Sequence, residues 1–209
     1  MFETLDPMEI EKRSFEIISE LLEEKGIRPD PVNEPVIKRV IHTTADFEYA
    51  NSLVFSKDAV LLAREALCAG CDIVTDTQMA KAGINKAALA KLGGEAHCFM
   101  SDPDVAEAAK QRGVTRAAVS MEKAAELAKP LIFAIGNSPT ALIALDALMK
   151  EGKISPKLII GVPVGFVNVV ESKELIISSA VPHIVARGRK GGSNVAAAVV
   201  NALLYGITR

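Results

Sequence analysis

The chain has no tryptophan and only two tyrosines, and aromatic residues make up 4% of its 209 positions. Hydrophobic residues reach 49%, yet no apolar run approaches the ~18–20 residues that cross a bilayer, so no membrane association is expected. The opening "MFETLDPMEIEKR" has no basic start leading into an apolar stretch, which makes a cytoplasmic location the expectation. Excess charge of either sign is also missing: 24 Lys and Arg stand against 26 Asp and Glu, a formal net charge of −2. Without a general basic field, nucleic acid is not an expected partner, and any anionic ligand needs a local cluster of bases. Cysteine is scarce: Cys68 and Cys71 form the CxxC of "CAGC", and Cys98 follows His97. Redox chemistry or half a zinc site is one reading of that pair. No second CxxC follows, and buried reduced cysteines are the preferred reading, with no metal expected.

What is present is enough apolar residue for one substantial core. The segment "LDPMEIEKRSFEIISELLEEKG" predicts a first helix, with Asp6 as N-cap, Pro7 at the first helical position, Glu9 at capping-box spacing and Gly26 closing it. Spacings of three and four put Ile10, Ser14, Ile17 and Leu21 on one face, so Ser14 is expected inside an apolar stripe. Its hydroxyl either bonds back to its own helix or points into a pocket. A second helix is predicted near "NEPVIKRVIH", capped by Asn33, with Val36, Ile37, Val40 and Ile41 toward the core and Arg39, His42 and Thr43 on a neighbouring face. From there short apolar runs such as "CDIVTD", "EAHCFMS", "PLIFAIGN", "PKLIIGVPVG" and "AVPHIVARG" alternate with helical segments, the first of them capped by Ser56. That alternation predicts an α/β fold of three layers, α/β/α, around a mostly parallel sheet. No linker, repeat or low-complexity tract interrupts it, so residues 1–209 are read as a single domain, with N-terminal helices within 6–45 contributing to the site.

In such sheets ligands bind at the carboxyl ends of strands. Two of the segments found there resemble anion sites. "GNSPTAL" (136–142) places a glycine and Ser138 ahead of a helix beginning at Pro139, and "RGRKGGSN" (187–194) brings Arg187, Arg189, a lysine and three glycines to another helix start. Free N–H groups at a helix start favour a carboxylate or phosphate, and arginine adds bidentate bonds. Neither has the GxxxxGK[ST] or GxGxxG order, so a nucleotide enzyme has little support. With Arg116 in "TRAA" and Lys173, they predict a pocket for a ligand with several carboxylates or phosphates.

His42 lies in "RVIHTTADFEYA" (39–50) among hydroxyls and charges. It is either a helix-end residue or a general acid and base, since histidine ordinarily titrates near neutral pH. No second histidine stands at helical spacing for a metal, and no GxSxG accompanies it.

In order along the chain, "KRSFEII", "RVIHTTADFEYA", "TDTQM", "IGNSPTAL", "GVPVGFVNVVESKE" and "RGRKGGSNVAAAVVNAL" resemble the precorrin-8X methylmutase (cobalt-precorrin-8 methylmutase) family of cobalamin biosynthesis, from about Met8 to Leu204. The resemblance implies an isomerase that moves a methyl group from C-11 to C-12 of a corrinoid by a 1,5-shift, without a cofactor or external methyl donor. It implies His42 as proton donor and acceptor, with Ser14 and Arg39 binding substrate, and a homodimer with its pocket near the subunit interface. Thr43, Arg116, Lys173, Arg187 and Arg189 are further candidates for holding the substrate. A non-catalytic corrinoid-binding or carrier protein is the alternative. The chain departs from the family's pattern at Ala45, where some relatives carry glycine, and at Thr77, where valine is frequent.

Overall fold

The computed structural model describes residues 6–208. The chain enters through α1 (Pro7–Glu24), α2 (Glu34–Thr44) and the single turn α3 (Tyr49–Ser52). It continues through β1 (Leu53–Phe55), α4 (Ala59–Cys68), β2 (Asp72–Thr75), α5 (Gln78–Gly83), α6 (Lys86–Lys91) and β3 (Ala96–His97). The second half runs α7 (Pro103–Arg112), α8 (Arg116–Ala124), β4 (Leu131–Ile135), α9 (Pro139–Lys150) and β5 (Leu158–Gly161). It closes with α10 (Val169–Ile177), β6 (His183–Ala186) and α11 (Ser193–Thr208).

The strands form one six-stranded sheet in the order β1-β6-β5-β4-β2-β3. Every pairing is parallel except β1 on β6, where Leu53 faces Ala186 and Phe55 faces Ile184. All residues of β2, β4, β5 and β6 are buried, because helices cover both faces and leave no side for polar alternation. On one face Ile132, Ala134, Ile160 and Ile184 pack with Val40, Val60 and Val199 of α2, α4 and α11. On the other, Phe133, Ile135, Ile159 and Val185 pack with Met121, Leu142 and Ile176 of α8, α9 and α10. The three-layer α/β/α architecture expected from the sequence is the one observed. The helix α11 is buried through Val195–Val200 and Ala202–Leu204. Its run of alanines lets the neighbouring helices approach closely, so it forms the centre of its layer.

Several local expectations fail for identifiable reasons. The outer helix α1 offers two adjacent apolar lines, and the buried one contains Ile18 and Leu22 rather than Ile10 and Ile17, which are 52% and 39% exposed. A 3.6-residue period cannot choose between lines one residue apart. Contact with α2, where Phe15 meets Arg39 and His42, makes the choice. Asp6 and Asn33 precede their helices without forming a side-chain cap. Ser56 does not cap α4. Its N–H donates to His183 O and its hydroxyl accepts from His183 N, which extends the β1–β6 pairing. The three-residue β1 is too short to show a strand period and is ordered by β6.

From β2 the chain moves outward to β3 through α5 and α6 on one face, and β4 to β6 lead the other way through α9 and α10 on the opposite face. The carboxyl ends of β2 and β4 therefore stand side by side where the winding reverses, the place where open α/β sheets hold ligands.

Candidate functional site

The C-terminal end of α2 reaches this same edge. Ala45, at its C-cap, is left-handed with φ 54° and donates its N–H to Ile41 O. A glycine would adopt that conformation without the Cβ penalty. One turn before the cap, His42 is exposed and its ring stacks on Phe15 of α1, with centroids 5.2 Å apart. The Arg39 guanidinium lies 4.6 Å from the same phenylalanine ring and 5.2 Å from the Tyr205 ring. Arg39 also pairs with Glu11 at 2.5 Å. Phe15 thus holds the two residues of the RxxH motif side by side. The hydroxyls of Ser14 and Thr43 donate back to Ile10 O and Arg39 O at 2.8 and 3.0 Å, the local bond expected of such residues in a helix.

The end of α2 is tied to the basic loop 187–192. Lys190 pairs with Asp46 at 2.6 Å and with Glu48 at 2.8 Å. The ammonium of Lys190 holds the Asp46 carboxyl below its ordinary pKa, and the two carboxylates raise that of Lys190. Inside the loop sits Lys173 of α10, 0% exposed. Its ammonium donates to Gly188 O and Lys190 O, both at 2.8 Å. Burial pushes its pKa down to about 8. The glycines allow this folding: Gly188 and Gly192 have φ of 86° and 141°, and a Cβ on Gly191 would lie 2.1 Å from Val162 O. Gly165 donates its N–H to Arg189 O, which joins the loop after β5 to the loop after β6.

The four remaining candidates divide by partner. Arg187 is paired with Glu174 at 2.8 Å. Arg189 faces Phe166, its guanidinium 6.0 Å from the ring. Arg116 opens α8 at the surface, next to Thr115, whose hydroxyl accepts from Ala118 N and meets that of Thr140 at 2.6 Å. Lys173 reaches only backbone carbonyls. Among the described residues, Arg189 and Arg116 have no carboxylate partner and are open to an incoming one.

At the switch point the structure corrects the reading of "GNSPTAL" as an open anion site. The position is already filled by Asp76, a fully buried carboxylate just past β2. It accepts from the N–H groups of Gly136, Asn137 and Ser138 at 2.8, 2.8 and 2.6 Å. Burial pushes its pKa up, and the three donors oppose that shift. Alongside, the Thr77 hydroxyl accepts from Ala80 N as the cap of α5 and meets Ser193 Oγ at 2.8 Å. Thr77 therefore binds the loop after β2 to the start of α11, a contact that valine does not offer.

Sequence reasoning missed Phe15 and Asp76, and it missed the pairing of Lys190 with Asp46 and Glu48. Phe15 and Asp76 lie inside segments singled out for other residues, "KRSFEII" and "TDTQM". Their partners are distant in sequence, so no spacing rule connects them. Of the other polar residues weighed, His97 bonds Asp72 at 3.0 Å at the amino end of β2, the opposite edge of the sheet. Cys71 is buried against Pro130 O, and burial pushes its thiol up to about 12.

A model of the family described as CbiC, precorrin-8X methylmutase, matches residues 9–206. A cobalt-precorrin-8 methylmutase of Salmonella typhimurium is 50% identical over 205 residues, 95% of this chain and 95% of that protein. One from Priestia megaterium is 46% identical over 203 residues, covering 96% of this chain and 88% of that protein. The solved precorrin-8X methylmutase of Thermus thermophilus superposes with a TM-score of 0.82 at 37% identity, covering 94% of this chain and 96% of that one.

Proposed function

Because this chain belongs to the precorrin-8X methylmutase family, we propose a division of labour among its residues for the family's reaction. The protein is an isomerase that moves a methyl group within a corrinoid ring, taking precorrin-8X or its cobalt form to the corresponding (hydrogeno- or cob-)yrinic acid. The Salmonella typhimurium and Priestia megaterium relatives are named for the cobalt form, which makes cobalt-precorrin-8 the first substrate to assay. Any cobalt belongs to the macrocycle, and the chemistry assigned to the protein is proton transfer.

The observation that carries this reading is the exposed His42 ring, stacked on Phe15 beside Arg39 at a helix end tied to a basic loop. His42 donates a proton to the macrocycle near ring C. The protonated ring draws electron density from the bond between C-11 and its methyl. That bond breaks as the bond to C-12 forms, the ring π electrons shift to compensate, and the proton returns to His42. Atoms and electrons balance without an oxidant or methyl donor. General acid–base catalysis of this kind contributes about 10²–10⁴-fold, the expected loss in His42→Ala. Arg39 and Ser14 bind substrate at the α1–α2 face, and Arg189 and Arg116 receive carboxylate arms. Arg187 can join them by exchanging its Glu174 partner for a substrate carboxylate, and Thr43 offers a hydroxyl. Lys173 supports the basic loop from within.

The protein is proposed to act as a cytoplasmic homodimer. Support for the dimer comes from the openness of the site. Phe166 and Val167 are 85% and 77% exposed beside the basic loop, and His42 itself is uncovered. A second copy over this edge would enclose a flat apolar macrocycle and exclude water. Incubating the protein with precorrin-8X and with its cobalt complex, and following the absorption spectrum, tests the reaction. His42→Ala that binds the coloured corrinoid but does not turn it over supports the assignment; retained turnover in that variant removes His42 from its role. A wild-type protein that binds without single-turnover conversion is a carrier instead.

A further inference from the structure

The helices α1, α2, α4 and α11 line an open pocket of about 420 Å³. Its lining includes Phe15, Lys38, Arg39, Arg64 and Tyr205. Two of its three cations are matched: Lys38 pairs with Glu34 of its own helix, and Arg39 pairs with Glu11. Arg64 is different. Among the described residues it has no hydrogen bond and no ion pair, and its Nε is buried without a partner. Leaving a guanidinium donor buried and unmatched is costly, so an arginine kept this way requires a reason.

A second observation shows that the fold makes room for that guanidinium. Gly206 lies within α11, where glycine destabilises a helix relative to alanine. A Cβ at that position would stand 2.2 Å from the Arg64 Nη2 and 2.6 Å from its Cζ. The glycine leaves space for the guanidinium against the backbone of α11, so its location is built into two helices at once.

We infer that Arg64 is a carboxylate-recognition residue, and that this pocket receives one acetate or propionate arm of the corrinoid whose ring lies against Phe15 and His42. The inference rests on the methylmutase reading above. A carboxylate is the ligand that fits a guanidinium that lines this pocket with no acid partner among the described residues. The pocket joins the catalytic histidine through one side chain, since Phe15 touches both Arg39 and His42. Arg39 is already paired with Glu11, so Arg64 supplies the unmatched positive charge.

The test uses the whole protein and two probes, cobyrinic acid with free carboxylates and a corrinoid with all its arms amidated. Arg64→Met keeps the apolar stem and removes the charge. It should raise the Kd for cobyrinic acid about tenfold or more, the scale of one lost charge-assisted hydrogen bond. The KM for turnover should rise with it while kcat stays within about twofold, the signature of lost uniform binding. Arg64→Lys should fall between, and the amidated corrinoid should bind both variants as it binds wild type. Unchanged Kd and KM in Arg64→Met would overturn the proposal. If that variant fails to fold, arginine-selective dicarbonyl labelling of wild type decides. Arg64 should be shielded by cobyrinic acid and not by the amidated probe, and equal labelling with and without cobyrinic acid would overturn the proposal. A wild-type protein that neither binds nor converts corrinoid refutes the functional reading itself, whereas full activity with an unaffected Arg64→Met refutes only the role of Arg64.

Discussion

The starts of α9 and α11 both follow a parallel strand, both contain glycine, and both open at the carboxyl edge of the sheet. In sequence they read as two versions of one anion-binding device. In the fold they are used in opposite ways. The three N–H groups before α9 close on an internal carboxylate, Asp76. The loop before α11 turns its carbonyls inward to an internal cation, Lys173, and carries Arg187, Arg189 and Lys190 on its outside. A helix start is an anion site only if nothing in the chain has already taken it. What distinguishes the two is a side chain arriving from elsewhere, and each arrival can be removed.

The largest effect is expected at Asp76. Asp76→Ala removes a fully buried acceptor from three N–H groups, which should cost about 3–5 kcal/mol. Urea denaturation measures this, and a loss below about 1 kcal/mol would mean that water replaces the carboxylate and the site is open after all. Asp76→Asn should cost less, because its carbonyl still accepts while its NH2 faces one donor.

At Lys173 the polarity is reversed. Lys173→Met leaves two carbonyls without a donor but also removes a buried charge, so a smaller loss of about 2–3 kcal/mol is expected. Its pH dependence is the sharper observation. The Lys173 amine has a pKa of about 8 in the folded protein and about 10.4 in the unfolded chain. Between those values the unfolded chain holds a proton that the folded one has released, so this group makes stability rise with pH from about 8 to about 10.4. Below about 8 both states are charged and the contribution is flat. Lys173→Met should lack the alkaline rise that wild type shows, and an identical pH profile in both would place the amine in water.

These two residues also mark how far the sequence could be read. The layers, the mostly parallel sheet and nearly all the long helices follow from short apolar runs such as "LIFAI" alternating with helical segments, because burial on both faces writes itself into consecutive residues. Spacing placed His42 and Arg39 on neighbouring positions of one helix, and the family resemblance made them candidates. Asp76 filling the start of α9, Lys173 beneath the loop, and Phe15 beneath His42 all join residues from different elements. A period or spacing carries no information about such contacts. The misplaced face of α1 has the same origin: local pattern offered two lines, and packing against α2 chose between them.

A smaller effect is expected at Thr77, which links the starts of α5 and α11. Its hydroxyl caps α5 and meets Ser193 at the first turn of α11. Thr77→Val keeps the volume and removes both bonds, for a loss of about 1–2 kcal/mol. The companion Ser193→Ala removes only the second bond and should cost less. Equal losses would mean that the link, rather than the cap, carries the stability.

The smallest effect is expected at Lys190, two residues from Gly188 in the loop that Lys173 supports. Lys173 and Lys190 carry the same charge, and their positions separate what that charge does. Lys190 meets Asp46 and Glu48 in solvent, with its side chain 44% exposed. Exposed pairs contribute little, because water and salt screen them and the long side chain must be held in one geometry. Lys190→Ala should therefore unfold at the wild-type urea midpoint, and any small shift should vanish in high salt. Its consequence belongs instead to the position of the helix end that carries His42. If Lys190 fastens that end to the loop, the variant should lose turnover at low salt with stability intact, and wild type in high salt should behave like the variant. A stability loss comparable to that of Lys173→Met would instead make both lysines parts of one buried framework.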